Sequence, residues 1–161
     1  MPGSERREAL VAHVDLALSD LTDPGRLAGS FPASLDLWAY PVSVAAEACL
    51  LVDAAGVLIA ASPGCGPLLG IDAQEAVGRS LVGGVLHLLD FGAVAADLPP
   101  WEADKVPPRL AAKTGGLARG LMRVALPTGS ARTVDAISVP LRDNPGASPV
   151  VGSLTFCALV R

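Results

Sequence analysis

The stretch Cys49 to Cys65, CLLVDAAGVLIAASPGC, constrains the fold more than any other part of the chain. Cys49 to Asp53 reads as a strand by its apolar content, Ala55-Gly56 supplies a turn, and Val57 to Ala61 returns. A connection this short joins antiparallel neighbours, since parallel strands need a long crossover. Ser62-Pro63 then ends the strand and opens something new. Proline fits the first turn of a helix and the serine before it fits the N-cap. Gly64 and Gly66 weaken that helix, so it should be short, with Leu68, Leu69 and Ile71 as its apolar contacts.

Downstream, GIDAQEAVGRSL repeats the pattern. Asp72 can cap a short helix running through Glu75 to Val77, with Gly78 closing it. Leu86 to Ala96 reads as a further helix, stopped by Pro99-Pro100. Residues 97–116 read as a polar, proline-rich connection. Three strand candidates follow: Leu117 to Leu126, Arg132 to Leu141, and Val150 to Val160. PTGS and RDNPGASP supply the loops between them. The order is two strands, several short helices, then three strands. That order predicts an α+β fold: a five-stranded antiparallel sheet with short helices over one face. A doubly wound parallel sheet would need crossover helices between most strands.

Ahead of the hairpin, residues 5–21 predict an amphipathic helix. Leu10, Val14, Leu18 and Leu21 form its apolar stripe, Val11 widens it, Ser4 caps it and Pro24-Gly25 ends it. The stripe must be buried, either by capping the main domain or by pairing with a second copy. Residues 26–47 carry FPASLDLWAYPVSV, which fits an extended segment, a short helix or a docked linker. Trp38 and Tyr40 are expected to pack against the sheet edge. The chain therefore divides into residues 1–45, a cap or dimer contact, and residues 46–161, the main domain.

Composition narrows the function classes. The 161 residues suit one domain with a core, half of them are apolar, and the net charge is -4. No Lys/Arg cluster is present, so no nucleic-acid partner is expected. The low charge favours a surface covered by another chain. No stretch reaches the ~18 apolar residues of a membrane span, and charges with His13 interrupt the N-terminus, so a cytoplasmic protein with no membrane partner is expected. Cys49, Cys65 and Cys157 are odd in number and lack ligand spacing, so they are expected to be core residues, with no metal.

Several of these segments, in this order, resemble the PAS domain family of sensory and signalling modules. The opening hairpin LLVDAAGVLIAASP matches at Asp53, Gly56, Ser62 and Pro63. LLGIDAQEAVGRSL matches at Leu69, Gly70, Glu75, Val77, Gly78 and Arg79. PTGSARTVDAISVPLRD matches at Gly129, Pro140, Arg142 and Asp143, and PVVGSLTFCAL resembles the closing strand. The resemblance covers roughly residues 46–160 and matches poorly over 92–116.

The resemblance implies a cavity between a curved sheet and the short helices, holding haem, flavin, a small metabolite or nothing. Leu51, Leu58, Val85, Leu89, Met122, Val124 and Ile137 would be its apolar walls. Ser138, Arg119 or Arg123 would supply polarity. A one-residue slip in register would exchange these faces. A flavin photoadduct is not expected, because Ser80 and Leu81 follow Arg79 where the light-sensing branch carries its cysteine. No cofactor is predicted. The alternative is a haem-bearing gas or redox sensor with His87 as axial ligand on a helix. Two histidines far apart, no nucleophile-elbow serine and no phosphate-loop lysine argue against an enzyme. The expected function is a non-enzymatic sensory or regulatory module. It would act through protein contacts, as a homodimer or on an effector, with gating by a small ligand in an apolar pocket.

Overall fold

A computed structural model describes residues 33–92, 96–144 and 149–161. Helix α1 is Ala33–Val44, and strands β1 (Cys49–Asp53) and β2 (Leu58–Ala61) follow. Short helices α2 (Cys65–Leu69) and α3 (Ala73–Ala76) lead to β3 (His87–Leu89). Helices α4 (Pro100–Ala103) and α5 (Pro107–Thr114) precede β4 (Ala118–Ala125), β5 (Ala131–Arg142) and β6 (Val150–Leu159). The predicted helix over residues 5–21 lies outside the described residues, as does its stripe Leu10, Val14, Leu18 and Leu21.

The strands form one antiparallel sheet in the order β2-β1-β6-β5-β4-β3. The hairpin is as the sequence predicts: the Asp53 carboxylate accepts the amides of Ala55 and Val57 at 2.9 Å, and Gly56 takes φ 82°. That left-handed φ is open to glycine at little steric cost. The two ends of the chain meet in the sheet, where β1 pairs with β6 from Cys49↔Phe156 to Asp53↔Gly152.

Among the described residues the sheet has six strands, one more than the sequence predicts. The difference is His87–Leu89, read as part of a helix over Leu86 to Ala96 but paired with β4 through Leu88↔Val124. A short apolar run carries no period that separates helix from strand. Here the backbone decides. The turn at Leu81–Val85, with Gly83 at φ 81°, feeds an extended chain, and the returning segment bonds Leu98 N–H to the Leu88 carbonyl at 2.9 Å.

The connection over 97–116 is also more ordered than its prolines suggest. Pro107 opens α5 where its missing N–H costs nothing, and Gly115 closes it at φ 71°. Two further local readings change. Ser62 does not cap α2; its hydroxyl donates to the Glu47 carbonyl at 2.6 Å and accepts the Cys49 amide at 2.9 Å, tying the start of β1 to the end of β2. Trp38 and Tyr40 sit on α1, and Tyr40 is 75% exposed, so neither aromatic is an edge plug. Asp72 caps α3 as expected, accepting from Gln74 and Glu75.

Candidate functional site

Alternation along each strand gives the sheet two faces. The inner one carries Leu50, Val52, Leu58, Leu88, Met122, Val124, Val134 and Ala136, buried against Cys65, Leu69, Ala76, Leu81 and Leu86. Its central part is built from small groups: Ala118, Gly120, Ala136, Ser138, Ser153 and Thr155. Helix α5 lies over this part. A side chain at Gly120 would meet Pro107 Cγ at 3.5 Å, and the Ser153 hydroxyl donates to the Pro108 carbonyl at 2.7 Å. Ser138 and Thr155 exchange a 2.7 Å hydrogen bond with no solvent exposure. The small residues therefore admit a helix backbone close to the sheet.

The outer face divides in two. Helix α1 covers one half, burying Leu35 and Val42 with Cys49, Leu51, Ala60 and Leu154. The other half is open. Leu121 (53% exposed), Val139 and Phe156 (45%) lie there, beside a cross-strand pair in which Arg119 bonds Asp135 at 2.5 and 3.1 Å. Arg119 holds the Asp135 carboxyl below its usual value, and Asp135 raises the guanidinium in turn.

Against this geometry the predicted pocket residues separate. Leu58, Met122 and Val124 are in the inner core, Val85 packs against its margin, and Ser138 lies inside under α5. Leu51 and Ile137 are on the opposite face: Leu51 is under α1, and Ile137 pairs with Phe156 and Arg119. Leu89 is buried but alternates with Leu88 and so belongs to the outer side of β3. The arginines do not supply polarity inside, since Arg119 serves Asp135 and Arg123 reaches the Asp90 carbonyl at 3.4 Å. The inner hydroxyls are instead Ser138, Ser153 and Thr155, and the last two were not singled out from the sequence. Their signal was present: GSLTF places Ser153 and Thr155 two apart on a strand, hence on one face.

His87 is on edge strand β3 and not on a helix. Its Nε2 lies 2.5 Å from Asp97 Oδ1, and both side chains are largely exposed, at 63% and 81%. The cleft around them, about 410 Å³, is bounded by Gly83, Gly84 and Leu98 at the surface. These residues do not fit an axial ligand reaching haem under the sheet's inner face, because His87 alternates with the inward Leu88. The three cysteines are buried, and burial pushes the Cys157 thiol up to about 12. Among the described residues no helix is long and apolar enough to cross a membrane.

No protein-family model matches the chain, and no curated protein matches it. Solved structures do. The PAS domain of a protein from Colwellia psychrerythraea is similar at a TM-score of 0.54 and 18% identity, over 78% of this chain and 96% of that one. VqmA of Vibrio cholerae, described as a dimer and LuxR-type receptor with a target DNA, is similar at 0.54 and 19% identity, over 74% of this chain. The match spans about half of VqmA, 49% of its length. An RNA-binding light-oxygen-voltage receptor is similar at 0.55 and 22% identity, over 83% of this chain and 36% of that one. The fold is thus PAS-like, as the sequence motifs indicate. The expectation of no nucleic-acid partner does not stand. It rested on sparse basic residues, whereas neighbours with this fold include a receptor with target DNA and an RNA-binding receptor.

Proposed function

We propose that this chain is a cytoplasmic sensory or regulatory module that acts by protein contact and performs no catalysis. The reading is carried by one observation: a PAS-like sheet whose inner face is packed under short helices while half of its outer face stays apolar and open at Leu121, Val139 and Phe156. An open apolar area on a signalling fold is where a partner or a second copy would sit. In this reading residues 1–45 are the cap or contact segment, with Leu10, Val14, Leu18 and Leu21 as its apolar stripe, and residues 46–161 are the sensor. A small ligand would enter between α5 and the inner face, meeting Leu58, Val85, Met122, Val124 and the Ser138 hydroxyl. It would shift the population of contact-competent states by displacing α5. Haem is not favoured, given where His87 lies.

The test is light scattering and sedimentation of the full chain with Phe156→Glu and Leu121→Glu beside the parent. A concentration-dependent dimer in the parent, weakened at least tenfold by either change with the melting temperature kept, supports the reading. A parent that stays monomeric throughout, and a monomer that co-purifies with no partner through this face, would sink it.

A further inference from the structure

Helix α1 is apolar on nearly every side. Leu35, Ala39 and Val42 face the sheet, and Leu37, Tyr40 and Val44 form a second stripe that faces out and stays exposed. A helix apolar all round is normally buried all round. On the flank of α1 that carries Tyr40 and Ser43, a groove of about 400 Å³ runs between α1 and α3. Its floor is the outer edge of β2 at Ile59–Ala61, and Gln74 and Val77 form the far wall. At the start of the edge strand Leu58 N–H donates to the Arg79 carbonyl and Gly78 N–H to the Leu58 carbonyl. No charged residue lines this groove, although charged residues line the cleft between Asp53 and Lys113.

We infer that this groove is the docking site of the chain's own segment 5–21, seated by Leu10, Val14, Leu18 and Leu21 against Tyr40, the small floor of β2, and Val77. The inference rests on the reading of that segment as the contact element, and gives it an address at the β2 edge in place of the open half of the sheet. Three observations select this occupant. A small, uncharged floor admits the leucine and valine knobs of an amphipathic helix, the helix-in-groove mode. The two stripes run at the same three- and four-residue spacing, so their ridges can interleave. The reach is sufficient: residues 22–32 span up to about 36 Å extended, and the groove runs from about 9 Å (Ala39) to about 15 Å (Ser43) along α1 from Ala33. Occupation would also cover Tyr40, the member of the outward stripe of α1 that borders the groove.

The experiment uses the full chain. Hydrogen exchange is measured on the parent, on Val14→Glu/Leu18→Glu, and on Val77→Arg. Both variants should speed exchange at least tenfold in 37–44, 59–62 and 73–77 and leave β4 to β6 unchanged. If Val14→Glu/Leu18→Glu instead exposes 119–123, 137–139 and 156, the groove assignment is wrong while the contact role of the segment survives. If it changes exchange nowhere, both fall. A Leu18→Cys/Gln74→Cys pair then distinguishes the source of the segment. The native thiols are buried and raised in pKa, so the new pair oxidises preferentially. An intrachain disulfide supports docking within one chain; an interchain one overturns it in favour of exchange between copies.

Discussion

The two faces of the sheet are made from the same strands and solve opposite problems. On the inner face, small residues let α5 approach until the Ser153 hydroxyl donates directly to the Pro108 carbonyl. On the outer face, α1 covers one half and Leu121, Val139 and Phe156 remain on the other. The inner face reads as a finished interior, and the outer one as an interior with a piece missing. Burial is therefore not a property of a strand's composition but of what is laid upon each side. Gly152 shows how tight the covered half is. A side chain there would collide with the Val52 carbonyl and lie 2.9 Å from Leu35 Cδ2, across the β1–β6 junction. Gly152→Val should therefore have the largest effect of any change considered, about 3 kcal/mol or more, because a backbone atom cannot move aside as a side chain can. Denaturant unfolding measures it; a loss below about 1 kcal/mol would mean that β1 and β6 do not pair as described.

Truncations compare the faces directly. Leu58→Ala on the inner face and Leu35→Ala beneath α1 remove fully buried side chains, so each should cost about 2–5 kcal/mol. Leu121→Ala, on the open half, should stay within about 0.5 kcal/mol in the monomer. Equal losses at Leu35 and Leu121 would erase the distinction between the two halves. A concentration-dependent loss at Leu121 would sharpen it, since that is the mark of a surface buried only by association.

The inner hydroxyls should matter less than the buried leucines and more than Leu121. Ser138→Ala leaves the Thr155 hydroxyl buried without its partner and should cost about 1–3 kcal/mol. Ser138→Ala/Thr155→Val, which removes both, should recover most of that loss. If the double variant is as unstable as the sum, the pair contributes through packing alone. If either variant instead gains affinity for small apolar ligands, α5 is the movable cover that the proposed gating requires.

Much of this was legible in the sequence, for identifiable reasons. The hairpin at residues 49–61, the Asp72 cap and the last three strands each carry a local signal: a turn with an obligatory glycine, a capping residue, or a run long enough to show its period. Strand β3 was hidden because three residues cannot display a period, and α5 because prolines at a helix start look like prolines in a loop. The candidate site was half legible. Met122, Val124 and Ser138 fell on the inner face, but Leu51 and Ile137 did not, because face assignment depends on register, and register is fixed by pairing between distant segments such as β1 with β6. The split of the outer face was not legible at all, since nothing in β4 or β5 records that α1 reaches β5 only near Leu141.

The Arg119–Asp135 pair offers the gentlest probe of that split. Arg119 is largely exposed and Asp135 partly so in the isolated chain, so their attraction is screened and Asp135→Asn should move the melting temperature little at neutral pH. The direction with pH is fixed. Arg119 depresses the Asp135 pKa below 3.8, so whatever the pair contributes is present above that value and fades as pH falls through the depressed one. The same melts run at rising protein concentration decide whether the open half stays open. Solvated charges keep the effect small at every concentration. If a second copy covers Leu121 and Phe156, the pair between them loses water, the screening falls, and the difference between Asp135 and Asn grows with concentration and resists added salt.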